Sequence, residues 1–240
     1  MKIIGVIPAR YDSTRFPGKP LVKILGKSLI RRVYERAALA KLQKLIVATD
    51  DERIVDEVLS FGGEVVLTKK FDTGTDRVAE VIKKEVYDIV VNIQGDEPLI
   101  KPEVIDVVIY ELVENAWAGV STAATRIYID EEIDDPNVVK VVLAKNGRAL
   151  YFSRSRIPYN RESMGMYYKH IGIYVYKRDF LERFVSFEKS SLEIAESLEQ
   201  LRVLENGCGI HVSIVNYDSI GVDIPEDVKK VEELLKAGKQ

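Results

Sequence analysis

Short apolar, β-branched runs alternate with amphipathic stretches through the first half of the chain. Residues 2–7 (Lys-Ile-Ile-Gly-Val-Ile) predict a buried strand ended by Pro8, and Ser28 is placed to cap a helix running to about Lys41, with Leu29, Ile30, Val33, Ala37 and Leu39 or Ala40 inward. Residues 44–48 predict the next strand. Asp50 or Asp51 then caps a helix to about Phe61, where Gly62-Gly63 stops it. A third strand falls at 64–67, a helix with Val78, Val81 and Ile82 inward follows Thr73-Gly74-Thr75, and 88–93 form a fourth strand. After a helix at 102–115 the rhythm changes. Residues 119–126, 138–143, 149–152 and 167–176 read as strands with no long helix between them, so an antiparallel part is expected there. Helical periodicity resumes at 177–186 and 191–206, followed by a strand at 210–215 and a last helix from Pro225 to about Lys236.

Alternating strands and helices of this kind predict an α/β fold: a mixed, mostly parallel central sheet flanked by helices, with an antiparallel β insertion. The 240 residues permit one large domain or two small ones at roughly 150 residues each. No linker rich in Pro, Gly or Ser divides them, so a single domain over 1–240 is expected, with a β excursion at about 119–176. The balance of 35 basic against 38 acidic side chains, net −3, offers no basic field for nucleic acid or an anionic membrane. One cysteine, Cys208, excludes an intrachain disulfide and fits a reducing cytoplasm. The apolar run before Pro8 is too short for a signal-peptide core of roughly 7–15 residues, and no stretch approaches the roughly 18 apolar residues of a membrane span.

Within the acidic average sits one concentrated basic loop, Pro8-Ala9-Arg10-Tyr11-Asp12-Ser13-Thr14-Arg15-Phe16-Pro17-Gly18-Lys19-Pro20. It follows the first strand, at the end of an open α/β sheet where ligands bind. Three cations, two hydroxyls and backbone N–H groups suit a polyphosphate; a solvated basic surface loop is the other reading. The spacing matches neither the dinucleotide G-x-G-x-x-G nor the Walker loop. Thr73-Gly74-Thr75-Asp76-Arg77 reads locally as a helix entry with Thr75 as N-cap. Asn92-Ile93-Gln94-Gly95-Asp96-Glu97-Pro98 places an acidic pair past a buried strand, where a carboxylate needs a partner or a cation. Mg²⁺ takes one or two carboxylates with phosphate oxygens and water, which such a site supplies; an acidic turn before the Pro102 helix is the alternative. Asp223, ahead of Pro225-Glu226-Asp227, reads locally as ordinary helix capping.

The loop P-A-R-x-x-S-T-R-x-P-G-K-P-L resembles the signature of the cytidylyltransferases that activate 3-deoxy-D-manno-octulosonate (Kdo), the acidic sugar of lipopolysaccharide. The similarity continues in order through Val47–Asp50, Gly62–Val65, Thr73–Arg77, Asn92–Pro98, Tyr151–Arg154, His170–Tyr174, Leu198–Arg202 and Gly221–Asp227, nearly the whole chain. It implies a Rossmann-like nucleotidyltransferase fold, cytoplasmic homodimers, CTP and Mg²⁺. By resemblance, Ala9, Arg10, Ser13, Arg15 and Lys19 hold the triphosphate of CTP, Thr73, Gly74 and Arg77 surround the cytosine, and Gln94 contacts ribose or sugar. Asp96 and Asp223 share Mg²⁺, while Lys19 and Arg15 balance the charge of the departing pyrophosphate. Arg154, Arg161, His170, Tyr174, Glu199 and Gln200 match positions near Kdo. The segment between Arg161 and His170 is shorter than in the family, which leaves Arg161 the weakest match. Taken by themselves, these residues read as solvated arginines, a satisfied imidazole and an exposed helix face. The activity implied is transfer of CMP from CTP to Kdo with release of pyrophosphate. A cytidylyltransferase for a sialic acid or an amino-Kdo, and a nucleotide-binding regulatory module without catalysis, are the alternatives.

Overall fold

A computed structural model describes residues 1–12, 15–84, 86–162, 165–218 and 220–238. The chain divides into two compact units, Met1–Asp106 with Ser219–Gln240, and Val107–Asp218.

The first unit opens with β1 (Ile3–Ala9), a single 3₁₀ turn at Lys19–Leu21 and a minimal hairpin of β2 (Lys23–Ile24) and β3 (Lys27–Ser28). There follow α1 (Leu29–Ala37), β4 (Lys44–Thr49), α2 (Glu52–Ser60), β5 (Val65–Leu67), α3 (Gly74–Ile82) and β6 (Ile89–Asn92). Its sheet runs β6-β1-β4-β5 with every pair parallel. The strands are apolar almost without interruption because both faces are covered: Ile4, Val6, Ile7, Ile46, Val47, Val90 and Val91 are all buried. Helix α1 begins where Ser28 Oγ accepts from Arg31 N and buries Leu29, Ile30, Val33 and Ala37. Ala40 rather than Leu39 turns inward beyond it. Helix α2 is capped by Asp51, which accepts from Arg53 N.

Helix α4 (Pro102–Glu114) carries the chain across the boundary. The second unit then contains β7 (Val120–Arg126), α5 (Asp130–Asp134), β8 (Lys140–Leu143), β9 (Ala149–Ser153), β10 (Tyr168–Lys177), α6 (Arg178–Phe184), α7 (Ser191–Glu196), α8 (Leu201–Glu205) and β11 (Ile210–Ile214). Here β10 is antiparallel to β7 and β8, β9 is antiparallel to β8, and β11 is parallel to β7. Ile171 pairs with Ala123 and Tyr174 with Thr122, so Gly172 and Ile173 are extra residues on β10 and form a bulge. The last helix, α9 (Pro225–Lys236), belongs to the first unit, where Glu232 Oε1 accepts from Leu25 N at 3.0 Å. The expected class, α/β with a mostly parallel sheet, flanking helices and an antiparallel excursion, is the one that forms.

Three local expectations are corrected. Pro8 does not end β1, which continues to Ala9; pairing with β6 stops at Val6, so Pro8 stands where β1 has β4 as its one neighbour and its missing donor is tolerated. The cap of α3 is Thr73, whose Oγ1 accepts from Asp76 N at 3.0 Å, and not Thr75, which is buried in the first turn. The predicted helix over 191–206 is two short helices, because Ser197 takes a left-handed conformation (φ 52°) that ends α7.

Candidate active site

The site in the first unit begins at the C-terminal end of β1. Ala9 is buried and Arg10 exposed, and the following loop closes on itself where Gly18 N donates to Tyr11 O at 2.9 Å. Gly18 has φ +73°, and a Cβ there would stand 3.1 Å from the Tyr11 ring, so the closure needs glycine. Across the loop the Arg53 guanidinium lies 3.2 Å from the Tyr11 ring centroid and is itself held by Asp51. This bracing delivers Lys19 to a fixed place. Its Nζ lies 2.7 Å from Asp96 Oδ2 and 3.3 Å from Asp223 Oδ1, while Arg15 Nη2 reaches the same Asp223 oxygen at 3.2 Å. Ser13 lies outside the described residues.

The two carboxylates come from distant parts of the sequence and are tied by main chain: Val222 N donates to Asp96 O at 2.9 Å. Asp227 Oδ2 accepts from Asp223 N and Ile224 N at 3.0 and 3.2 Å, fixing the backbone that presents Asp223. Burial opposes that carboxylate's charge, yet these N–H donors and Lys230 hold Asp227 below the usual carboxylate range. Gly95 turns the chain after β6 against Pro8 O, which would lie 3.0 Å from an added Cβ. The result is a cleft of about 300 Å³. Arg10, Arg15, Lys19, Thr73, Gly74, Arg77, Gln94, Asp96 and Asp223 are among the residues that line it. Arg77 is buried and fully engaged: Nη2 lies 3.0 Å from Asp50 Oδ2, and Nη1 donates to Thr68 Oγ1 at 2.8 Å.

The second unit holds the remaining candidates. On β10 the two-residue bulge brings His170 and Tyr174 side by side, ring centroids 5.4 Å apart, with Phe152 edge-on to His170 at 5.2 Å. Burial pushes the His170 pKa down to about 3, so the ring is neutral at pH 7. Its Nε2 is 2.9 Å from Thr122 Oγ1, whose own hydrogen goes to Ile173 O at 2.6 Å; Nε2 is therefore the protonated nitrogen and Nδ1 an acceptor. Burial, with Glu199 nearby, pushes the Tyr174 phenol upward and keeps it neutral. Gln200 is buried, and its Nε2 has no partner among the described residues. Glu199 is half-buried beside it, so neither belongs to the exposed helix face that sequence alone suggested. Arg154 is committed to main chain, donating to Glu196 O, Pro136 O and Ser197 O at 2.8, 2.9 and 3.4 Å. Arg161 is exposed in the loop before β10.

A model of the cytidylyltransferase family matches residues 4–217. The 3-deoxy-manno-octulosonate cytidylyltransferase of Geobacter sulfurreducens is 49% identical, covering 98% of this chain and all of that protein. The enzyme of the same name from Solibacter usitatus is 51% identical over 98% of this chain and 95% of its own. The chain belongs to the 3-deoxy-manno-octulosonate cytidylyltransferase family. A solved structure of CMP:2-keto-3-deoxy-manno-octonic acid synthetase complexed with CTP superposes with a TM-score of 0.95 at 42% identity, covering 99% of this chain and all of the other. A cytidylyltransferase from Leptospira borgpetersenii, 17% identical with a TM-score of 0.69, shares the fold.

Several residues of this family member carried no signal in the sequence. Phe71 and Asp72 line the cleft from the connection between β5 and α3, which has no motif spacing. Asp51, one of the two aspartates the sequence offers as cap of α2, takes that place, and Asp50 is the partner of Arg77. Lys140 is buried and donates to Asp135 O, Val138 O and Arg154 O at 2.8, 2.7 and 2.6 Å, gathering the main chain around Arg154. Burial lowers its pKa. Nothing short of the tertiary fold marks such a lysine.

Proposed function

We propose that this chain transfers CMP from CTP to Kdo, giving CMP-Kdo and pyrophosphate. The observation that carries the reading is the convergence of Lys19 with Asp96 and Asp223 in a cleft lined by Arg10 and Arg15. Phosphoryl-group chemistry needs little covalent help and much positioned charge, which this wall of cations supplies. Arg10, Arg15 and Lys19 bind the triphosphate and take up the charge that grows on the departing pyrophosphate. The turn at Thr73-Gly74 and the buried Arg77 form the base side, and Gln94 faces the ribose. The sugar acid meets Arg154, His170, Tyr174, Glu199 and Gln200, with Arg161 toward its carboxylate. The orphaned Gln200 Nε2 suits a polyhydroxylated ligand, because a buried polar atom favours a ligand that completes its hydrogen bonds, and His170 Nδ1 adds an acceptor.

Two carboxylate oxygens that approach one cationic nitrogen form a donor set that fits Mg²⁺, with Asp96 and Asp223 as its holders and phosphate oxygens and water completing the shell. When bound, Mg²⁺ neutralises phosphate charge and lowers the pKa of a coordinated hydroxyl. In the transfer the anomeric oxygen of Kdo bonds to the α-phosphorus in line as the bond to pyrophosphate breaks, and the hydroxyl proton passes to water. Among the described residues no helix is long and apolar enough to cross a membrane. The setting we infer is a homodimer in the cytoplasm, serving lipopolysaccharide biosynthesis.

Pyrophosphate release from CTP and Mg²⁺ tests the reading against a panel of Kdo, amino-Kdo and a sialic acid. Kdo is expected to be the preferred acceptor, and Asp96→Asn to lower its turnover roughly 10³-fold with the circular dichroism spectrum unchanged. Preference for another sugar acid, or full activity in Asp96→Asn, would overturn it.

A further inference from the structure

The cation that Asp96 and Asp223 share is an ammonium of the chain itself. Lys19 Nζ lies 2.7 Å from one carboxylate and 3.3 Å from the other, its side chain only 15% exposed, and Arg15 adds a second positive charge 3.2 Å from Asp223. Two carboxylates against two cations make a neutral cluster. A divalent ion added to it would face two positive groups within a few ångströms, of which Lys19, the less exposed, is the less screened. A triphosphate changes that balance. Lys19 is anchored through its main chain, its N–H donating to Phe16 O and its carbonyl accepting from Val22 N, while its flexible four-carbon stem is free to turn the ammonium from carboxylate to phosphate.

We infer that Lys19 is an exchangeable counter-ion: it occupies Asp96 and Asp223 until a triphosphate draws it away, so that nucleotide and divalent cation enter the cleft together. The inference rests on the reading of this cleft as a triphosphate and divalent-cation site. Binding of metal to the nucleotide-free chain is weak because Lys19 competes for the same oxygens. By linkage, each ligand then tightens the other.

Titration of the nucleotide-free protein with Mn²⁺, the free ion followed by electron paramagnetic resonance, tests this without turnover. Lys19→Gln and Lys19→Met, which remove the charge, are expected to bind Mn²⁺ about tenfold more tightly than the native chain, and Lys19→Arg, which keeps it, to bind no more tightly. Adding Asp96→Asn to Lys19→Gln should abolish the gain. Thermal melts establish that each variant is folded. If neither neutral variant gains affinity, or Lys19→Arg gains as much, the counter-ion role is wrong. If CTP brings no Mn²⁺ to the native chain beyond what CTP holds in a protein-free titration, the reading of the cleft itself fails.

Discussion

His170 is a neutral imidazole whose single proton is assigned by its neighbour. Thr122 Oγ1 gives its hydrogen to Ile173 O and therefore accepts from Nε2, while Phe152 and Tyr174 crowd the ring. A partly buried imidazole kept neutral has a consequence for stability, since its folded pKa of about 3 lies below the ordinary value near 6.5. Between those limits the unfolded chain binds the proton and the native chain does not, so stability falls as pH drops through that window and is unaffected above it. Urea denaturation at pH 7.5 and pH 4.5 should show the native chain losing on the order of 2 kcal/mol more than His170→Gln over that interval. Equal losses would mean that the ring is not held neutral. None of this was legible at the residue level. The sequence offered a histidine in a strand, whereas its neutrality depends on the two extra residues, Gly172 and Ile173, that set it beside Tyr174.

Elements were legible where periodicity and caps agreed, and illegible where two residues competed for one role. Thr73 and Thr75 are both good N-caps; Thr73 wins because its hydroxyl reaches Asp76 N, while Thr75 Oγ1 accepts from Asn92 Nδ2 at the end of β6. The helix over 191–206 fails for a different reason. Its apolar periodicity runs through Ser197 with no glycine or proline to mark a stop, yet Glu196 O and Ser197 O are taken by Arg154, and Glu196 Oε1 accepts from Ser153 Oγ at 2.6 Å. These partners hold the end of α7 in place and leave Ser197 to turn left-handed. A serine there is strained where glycine is not, so Ser197→Gly should raise stability by about 1 kcal/mol, a shift of roughly 2–4 °C in Tm. A melting temperature unchanged or lowered in that variant would show that the strain is absorbed elsewhere.

At the scale of the molecule, the net charge of −3 hid the decisive feature, a cationic loop beside two carboxylates; the residues themselves marked Asp96, whereas Asp223 read locally as helix capping and was placed with it by the family resemblance alone. Surface association was less legible, because it depends on which apolar side chains the fold leaves uncovered. Ile127 N donates to Tyr167 O, which sets residues 127–129 beside 166–168; Ile127 and Tyr167 turn inward onto Ile133, while Tyr128, Ile129 and Met166 remain 79%, 54% and 52% exposed. Single exposed apolar residues are ordinary, and neighbouring ones such as these are where we expect association to be found. A second copy of the chain is the partner we expect there, as in the homodimers that the sequence resemblance implies. Sedimentation should give a dimer for the native chain at micromolar concentration and a folded monomer for Ile129→Asp combined with Met166→Asp, since two carboxylates buried without partners cost more than such a patch returns. A native monomer, or a dimer that survives both substitutions, would place the subunit contact elsewhere or remove it.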